Sequence, residues 1–435
     1  MSFPRYECYK DSGIEWLGEV PEHWDIRRLK YNLRLLTEKT DRRENLVALE
    51  NIESWSGLFI QTETTFEGEG IAFERGDILF GKLRPYLAKA YLAETSGEAV
   101  GDFHVMRPTK NTVGRFAQYQ ILNREFIAIV DGSTFGAKMP RASWDFMGGM
   151  VLTAPPITEQ QAIAAFLDRE TTKIDALIAE QKRLIELLKE KRQAVISHAV
   201  TKGLNPDAPM KDSGIEWLGE VPEHWKIVAL KRVASICYGI GEPPKYQAEG
   251  IPLIRATNIH NGRLFEDGLV FVNPADIPEK RIVWLSAGDI IVVRSGAYTG
   301  DSAIIPEGYG SCIAGFDMVL RCDGVVPYFF QFALLSKYLK EGQIDLEKMR
   351  AAQPHLNAEE LGSSVIVLPS SREEQTEIVA FLDRETVKID VLTAEAQTAI
   401  TLLQERRTAL ISAAVTGKID VRGLVATQPE REATA

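Results

Sequence analysis

Five short stretches of this sequence collect side chains that could hydrogen-bond nucleic acid. The first, Gly81-Lys82-Leu83-Arg84-Pro85-Tyr86, offers Lys82, Arg84 and Tyr86. The second, Gly136 to Arg141, offers Lys138 and Arg141. Later in the chain come Arg255 with Asn258, then Arg294, Ser295 and Tyr298, then Lys348, Arg350 and Gln353. Arg and Lys can pair with guanine O6 and N7, and Asn and Gln with adenine N6 and N7. The same cations, with Ser and Tyr, also hold phosphates. Each is equally what a solvated surface or an ion pair uses, so the loops need support from the rest of the chain.

Bulk charge gives none. Residues 31–156 hold 14 basic and 16 acidic side chains, and the whole chain of 435 residues carries a net charge of -11. A protein that coats nucleic acid or anionic membrane by charge alone is excluded. A site-specific reader with local basic patches is not.

Other chemistries lack their residues. No G-x-x-x-x-G-K-[ST] occurs, and Gly239-Ile240-Gly241 runs into Pro243-Pro244 without the third glycine of a dinucleotide fingerprint. No Asn-Pro-Pro-aromatic or Asp-Pro-Pro-aromatic run occurs, and no nuclease or nucleophile–base pattern stands out. Cys8, Cys237, Cys312 and Cys322 are far apart without a Cys-x-x-Cys pair, which points to neither zinc nor a disulfide framework. His23 and His224, each beside a Trp, read as packing or hydrogen-bonding groups. With no apolar leader in Met1–Lys10 and no span of ~18 apolar residues, a cytoplasmic location and no membrane contact are expected.

The loops must be placed by the elements before them. Asp77-Ile78-Leu79-Phe80 and Asp289-Ile290-Ile291-Val292-Val293 read as buried strands, each running straight into a candidate loop. Residues 159–200 contain neither Pro nor Gly. Ile163, Leu167, Ile174, Leu177, Leu184, Leu188 and Val195 follow 3/4 spacing there, predicting a coiled-coil-like stripe. Ile378, Leu382, Ile389, Leu392, Leu403 and Leu410 set out a second such stripe. Thr158 with Gln161 and Ser371 with Glu374 offer helix starts, and Gly203 and Gly417 offer stops. A helix of ~40 residues spans ~60 Å. Its natural partner is its own duplicate, antiparallel.

Duplication is literal in this chain. Residues 10–24 read KDSGIEWLGEVPEHW, and residues 211–225 repeat the same letters, an offset of 211 − 10 = 201. FLDRETTKID at 166–175 returns as FLDRETVKID at 381–390, an offset of 381 − 166 = 215. Between these frames the two middles share little beyond Gly76-Asp77-Ile78 and Gly288-Asp289-Ile290. A common scaffold holding two different readers is the reading this contrast supports.

The opening motif Asp11 to Pro21 with Trp24, its copy from Asp212, and the segments Pro155-Pro156-Ile157-Thr158-Glu159-Gln160 and Glu374-Gln375 resemble the specificity subunits of type I restriction–modification systems. The resemblance covers nearly the whole chain. Leu368-Pro369-Ser370-Ser371 departs from it by lacking a double proline. It implies an α+β protein: two mixed, β-rich target-recognition domains joined by two long antiparallel helices as a coiled-coil spacer, with pseudo-twofold internal duplication. The expected domains are 1–156 and 204–369 for recognition, 157–203 and 370–417 for the helices, and 418–435 for the tail. The resemblance further implies a non-catalytic subunit reading a bipartite, asymmetric DNA target. Two modification (methyltransferase) subunits, and restriction subunits, would be its partners. No cofactor is expected on this chain; S-adenosylmethionine, ATP and Mg belong on the partners. The rival is a scaffold with two protein-binding domains on a coiled-coil rod.

Overall fold

The computed structural model describes residues 3–62, 68–134, 139–348 and 354–424. Two helices dominate it: α1, Ile157–Lys202, of 46 residues, and α2, Arg372–Val415, of 44 residues. The chain forms two compact units. The first takes residues up to Gln181 and from Thr398 on, and the second takes Lys182–Gln397. Each unit therefore holds the first part of one long helix against the last part of the other, which makes the pairing antiparallel.

In the first unit, four strands make one antiparallel sheet. They are β1 (Leu33–Leu36), β2 (Ile78–Gly81), β3 (Ala90–Leu92) and β4 (Phe103–Pro108), in the order β1-β4-β2-β3. In the second unit, β5 (Ala234–Tyr238), β6 (Ile290–Val292), β7 (Ser302–Ile304) and β8 (Met318–Cys322) repeat it as β5-β8-β6-β7. The apolar runs seen in the sequence are the central strands β2 and β6, buried along their length. Helices Gly114–Ile121 and Pro327–Leu335 pack on these sheets through residues such as Ala117, Ile121, Phe329 and Phe330.

Each unit also has a smaller four-stranded sheet. Three of its strands correspond: Gly70–Phe73, Gly97–Ala99 and Leu46–Val47 in one, Trp284–Leu285, Cys312–Ala314 and Ile251–Ile254 in the other. The fourth joins opposite edges, Lys39–Thr40 beside Gly70–Phe73 but Val270–Val272 beside Ile251–Ile254. The two middles are one fold with altered edges, although their sequences diverge.

What little the middles share has a structural reason. Asp77 and Asp289 are buried at the entrance of the central strands. Each accepts a backbone N–H three residues upstream, from Glu74 and from Ser286. Each also holds an arginine of the adjacent strand, Arg107 at 2.8 Å and Arg321 at 3.4 Å. Losing either carboxylate takes one partner from a backbone N–H and one from an arginine.

The identical frames are explained the same way. Each opening motif is a hairpin, Tyr9–Asp11 with Glu19–Pro21 and Met210–Asp212 with Glu220–Pro222. Buried Trp24 donates its indole N–H to Glu159 at 2.9 Å, and Trp225 donates to Glu374 at 2.9 Å. His23 and His224 meet the same carboxylates. Glu159 also accepts from Tyr6 at 3.1 Å. Gln160 and Gln375 each bind the N–H of Val113 or Val326, at 2.8 Å in both units. So Glu-Gln at each helix start ties that helix to the opening motif and to the recognition fold. At the helix ends, Gly203 (φ +75) and Gly417 (φ +76) take the left-handed turn. A Cβ at Gly417 would lie 2.3 Å from Pro21, so only glycine fits.

Two expectations about the helices are corrected. Thr158 does not cap α1. The helix already starts at Ile157, and the carbonyl of Pro156 accepts from Gln160 at 3.0 Å, so Thr158 lies inside the first turn. Ser371 does cap α2, accepting from the Glu374 N–H at 3.1 Å, while the Glu374 side chain goes to Trp225. The stripe is also narrower than its spacing suggested. Ile163, Leu167, Ile174, Leu188, Ile378, Leu382 and Ile389 are buried and Leu403 is half-buried. Leu177, Leu184 and Leu392 are exposed at 51%, 40% and 47%. A helix pair covers one line of side chains, and a straight helix drifts off a 3.5-residue repeat by ~20° per heptad. Ile178, Ala396 and Ile400 are buried instead. Asp175 pairs with Arg407 at 2.9 Å in the first unit, and Arg192 with Asp390 at 2.5 Å in the second.

Among the described residues, no helix is long and apolar enough to cross a membrane. The chain beyond α2 packs into the first unit: Val421 is fully buried, and the Asp420 N–H donates to the Pro4 carbonyl at 2.8 Å.

Candidate nucleic-acid interface

Strand β2 delivers Lys82, Arg84 and Tyr86 to the surface of the first unit. The chain there is fastened to the segment carrying Arg141. The Lys82 carbonyl accepts from the Ala142 N–H at 2.8 Å, Leu83 bridges Arg141, and the Arg84 N–H donates to Pro140 at 2.9 Å. Arg84 is exposed at a left-handed φ of +51, and Tyr86 is 47% exposed. The Asp102 carboxylate sits among these cations, 3.0 Å from Arg141 and 3.8 Å from the Lys82 amine. The two expected sequence stretches of this unit thus form one patch. Lys138 lies outside the described residues.

The second unit builds the same fastening. Strand β6 leads to Arg294, whose carbonyl accepts from the Leu356 N–H at 2.8 Å, and Ser295 bridges His355. Lys82 and Arg294 therefore occupy one backbone position of a shared fold, as do Arg141 and His355. Here the cation sits on rings. The Arg294 guanidinium lies over Phe316 at 4.2 Å and Tyr238 at 4.6 Å from their centroids. Arg255 lies over Tyr246 at 5.4 Å and donates to the Gly268 carbonyl at 2.8 Å. Contacts of this kind are worth about 0.5–1 kcal/mol when exposed and more when desolvated. Tyr298 is exposed and packs edge-on against His260, which reaches Asp301 at 3.1 Å.

Asp317 anchors the arrangement, accepting the Arg294 N–H at 3.2 Å. It is 2% exposed. Burial pushes its carboxyl up to about 6, against the opposing pull of the Arg294 N–H and charge.

Asn258 is placed differently from the expectation that it meets a base. It is fully buried, its amide donates to the carbonyls of Phe265 and Asp267, and its oxygen accepts from the Arg255 N–H. Asn51 does the same work in the first unit, with Ile60 and Ala48. This amide holds a turn, and its edge is not available to a ligand. Arg350 and Gln353 lie outside the described residues, and Lys348 closes a short helix without a described side chain. Sequence reasoning missed the rings of Tyr238, Tyr246 and Phe316. Their signal is faint: Tyr238 and Phe316 each stand next to a glycine at the rim of a sheet.

The comparisons fit this geometry. The family model for the "Type I restriction modification DNA specificity domain" matches residues 222–401. Over those residues the chain is similar to the type I specificity subunits. The EcoBI specificity subunit of Escherichia coli is 26% identical over 68% of this chain, a match that spans 64% of that protein's length. The putative MjaX specificity subunit of Methanocaldococcus jannaschii is 26% identical over 97% of this chain and 99% of its own. A solved chain from work on complex assembly and conformational transition of the type I restriction–modification system superposes with a TM-score of 0.72. At 18% identity, over 91% of this chain and 98% of that one, it shows the shared fold. In this chain the candidate interface occurs twice, once per unit, on the same strand end.

Proposed function

We propose that this chain is a specificity subunit that reads a bipartite, asymmetric DNA target and has no catalytic site of its own. The loops of the first unit, with Lys82, Arg84, Tyr86, Lys138 and Arg141, meet one half-site. Those of the second, with Arg255, Arg294, Ser295, Tyr298, Lys348, Arg350 and Gln353, meet the other. The observation that carries the reading is the position shared by Lys82 and Arg294. One scaffold presents different cations at one place, which is what an asymmetric target requires of a duplicated reader.

Modification subunits carrying S-adenosylmethionine would dock on the helices and opening motifs, and restriction subunits with ATP and Mg would join them in the cytoplasm. Leucines left exposed on the helices support docking there. Internal duplication would let two identical partners meet equivalent surfaces on one chain. Replacing Arg84 and Arg141 together tests the division of labour: recognition of one half-site weakens while the other stays intact. Equal weakening of both halves would refute it.

A further inference from the structure

Arg294 is fixed at its backbone, and its guanidinium lies over two rings. Its N–H meets Asp317 and its carbonyl meets Leu356, which fixes where the side chain starts. The plane of the guanidinium is set by Phe316 and Tyr238. Yet its Nε is sealed from solvent without a hydrogen-bond partner among the described residues. A desolvated donor without a partner is a cost that folds rarely keep without a reason. The two rings are themselves 41% and 43% exposed, so the site opens to the outside. In the first unit the same position carries Lys82, a point charge near Asp102.

We infer that Arg294 is a specificity-determining residue that reads a guanine in the half-site met by the second unit; this rests on the DNA-reading function proposed above. A guanidinium is a planar fork whose parallel donors match guanine O6 and N7, and the rings hold that fork in one orientation before the base arrives. A phosphate can be held by a point charge as well as by a fork, so it makes less use of a fixed plane. Lysine offers a point charge where arginine offers a planar fork, so Lys82 would meet its half-site with a different geometry.

The test uses the full chain co-expressed with its modification subunits, with methylated sites mapped across a genome. Arg294→Lys keeps charge and stem; Arg294→Gln keeps the stem alone. Assembly of each complex is checked by gel filtration. We expect both complexes to assemble and to accept other bases at one guanine of one half-site, with discrimination there reduced about 5- to 150-fold. The other half-site stays unchanged. An unaltered motif in both variants overturns the inference. So does a uniform loss of methylation across all sequences, which marks a phosphate contact. If the wild-type complex methylates no bipartite motif, the DNA-reading function itself falls, a failure distinct from that of Arg294.

Discussion

Asp317 is a buried carboxylate whose titration bears on stability. Its carboxyl is raised from 3.8 to about 6 by burial. The folded state then binds a proton more tightly than the unfolded chain, so stability falls as pH rises from about 4 to about 6. Asp317→Asn removes that fall, which amounts to at most about 3 kcal/mol. Urea denaturation at pH 4, 5, 6 and 7 checks it: relative to the variant, the wild type loses stability as pH rises across the window. The paired carboxylates Glu159 and Glu374 give a second comparison. Glu159 is the more enclosed and takes Tyr6, Trp24 and His23, whereas Glu374 takes Trp225 and His224. Glu159→Ala is expected to destabilise by about 3 kcal/mol and Glu374→Ala by less, because fewer donors lose a partner and water reaches the site. The same chemical denaturation distinguishes them, and equal losses would contradict the difference in enclosure.

Among elements, the long helices were legible in the sequence because Pro and Gly are absent for some 40 residues and apolar residues recur at 3/4 spacing. Their buried face was only partly legible. Spacing alone cannot tell Leu177 from Ile178, since which one is covered depends on the partner helix. Leu167→Ala, at a fully buried position, is expected to cost about 2–5 kcal/mol, and Leu177→Ala within about 0.5 kcal/mol. Thermal unfolding of the two variants checks the order. The central strands were legible as apolar runs. The equivalence of the two middles was not, because a sheet needs only apolar residues at alternate positions and conserves strand order through complete change of side chains. The loop cations could be named from the sequence, whereas the rings under Arg294 are brought together only by the sheet. An insertion of four residues within 176–195 lengthens α1 by about 6 Å. The spacer between the methylated half-sites should change with it; an unchanged spacer would refute a ruler role for the helices.

For the whole molecule, a net charge of -11 and a DNA-reading role are reconciled if partners supply much of the basic surface. The isolated chain should bind duplex DNA weakly, and the assembled complex tightly, with an affinity that falls as salt rises. A scaffold for protein ligands would show neither effect. The central claim, that this chain chooses a split DNA target, is tested most directly by mapping adenine methylation in the host genome with and without its gene. The account predicts that one bipartite, asymmetric motif disappears on deletion and returns on complementation. Methylation that keeps every bipartite motif after deletion would contradict it.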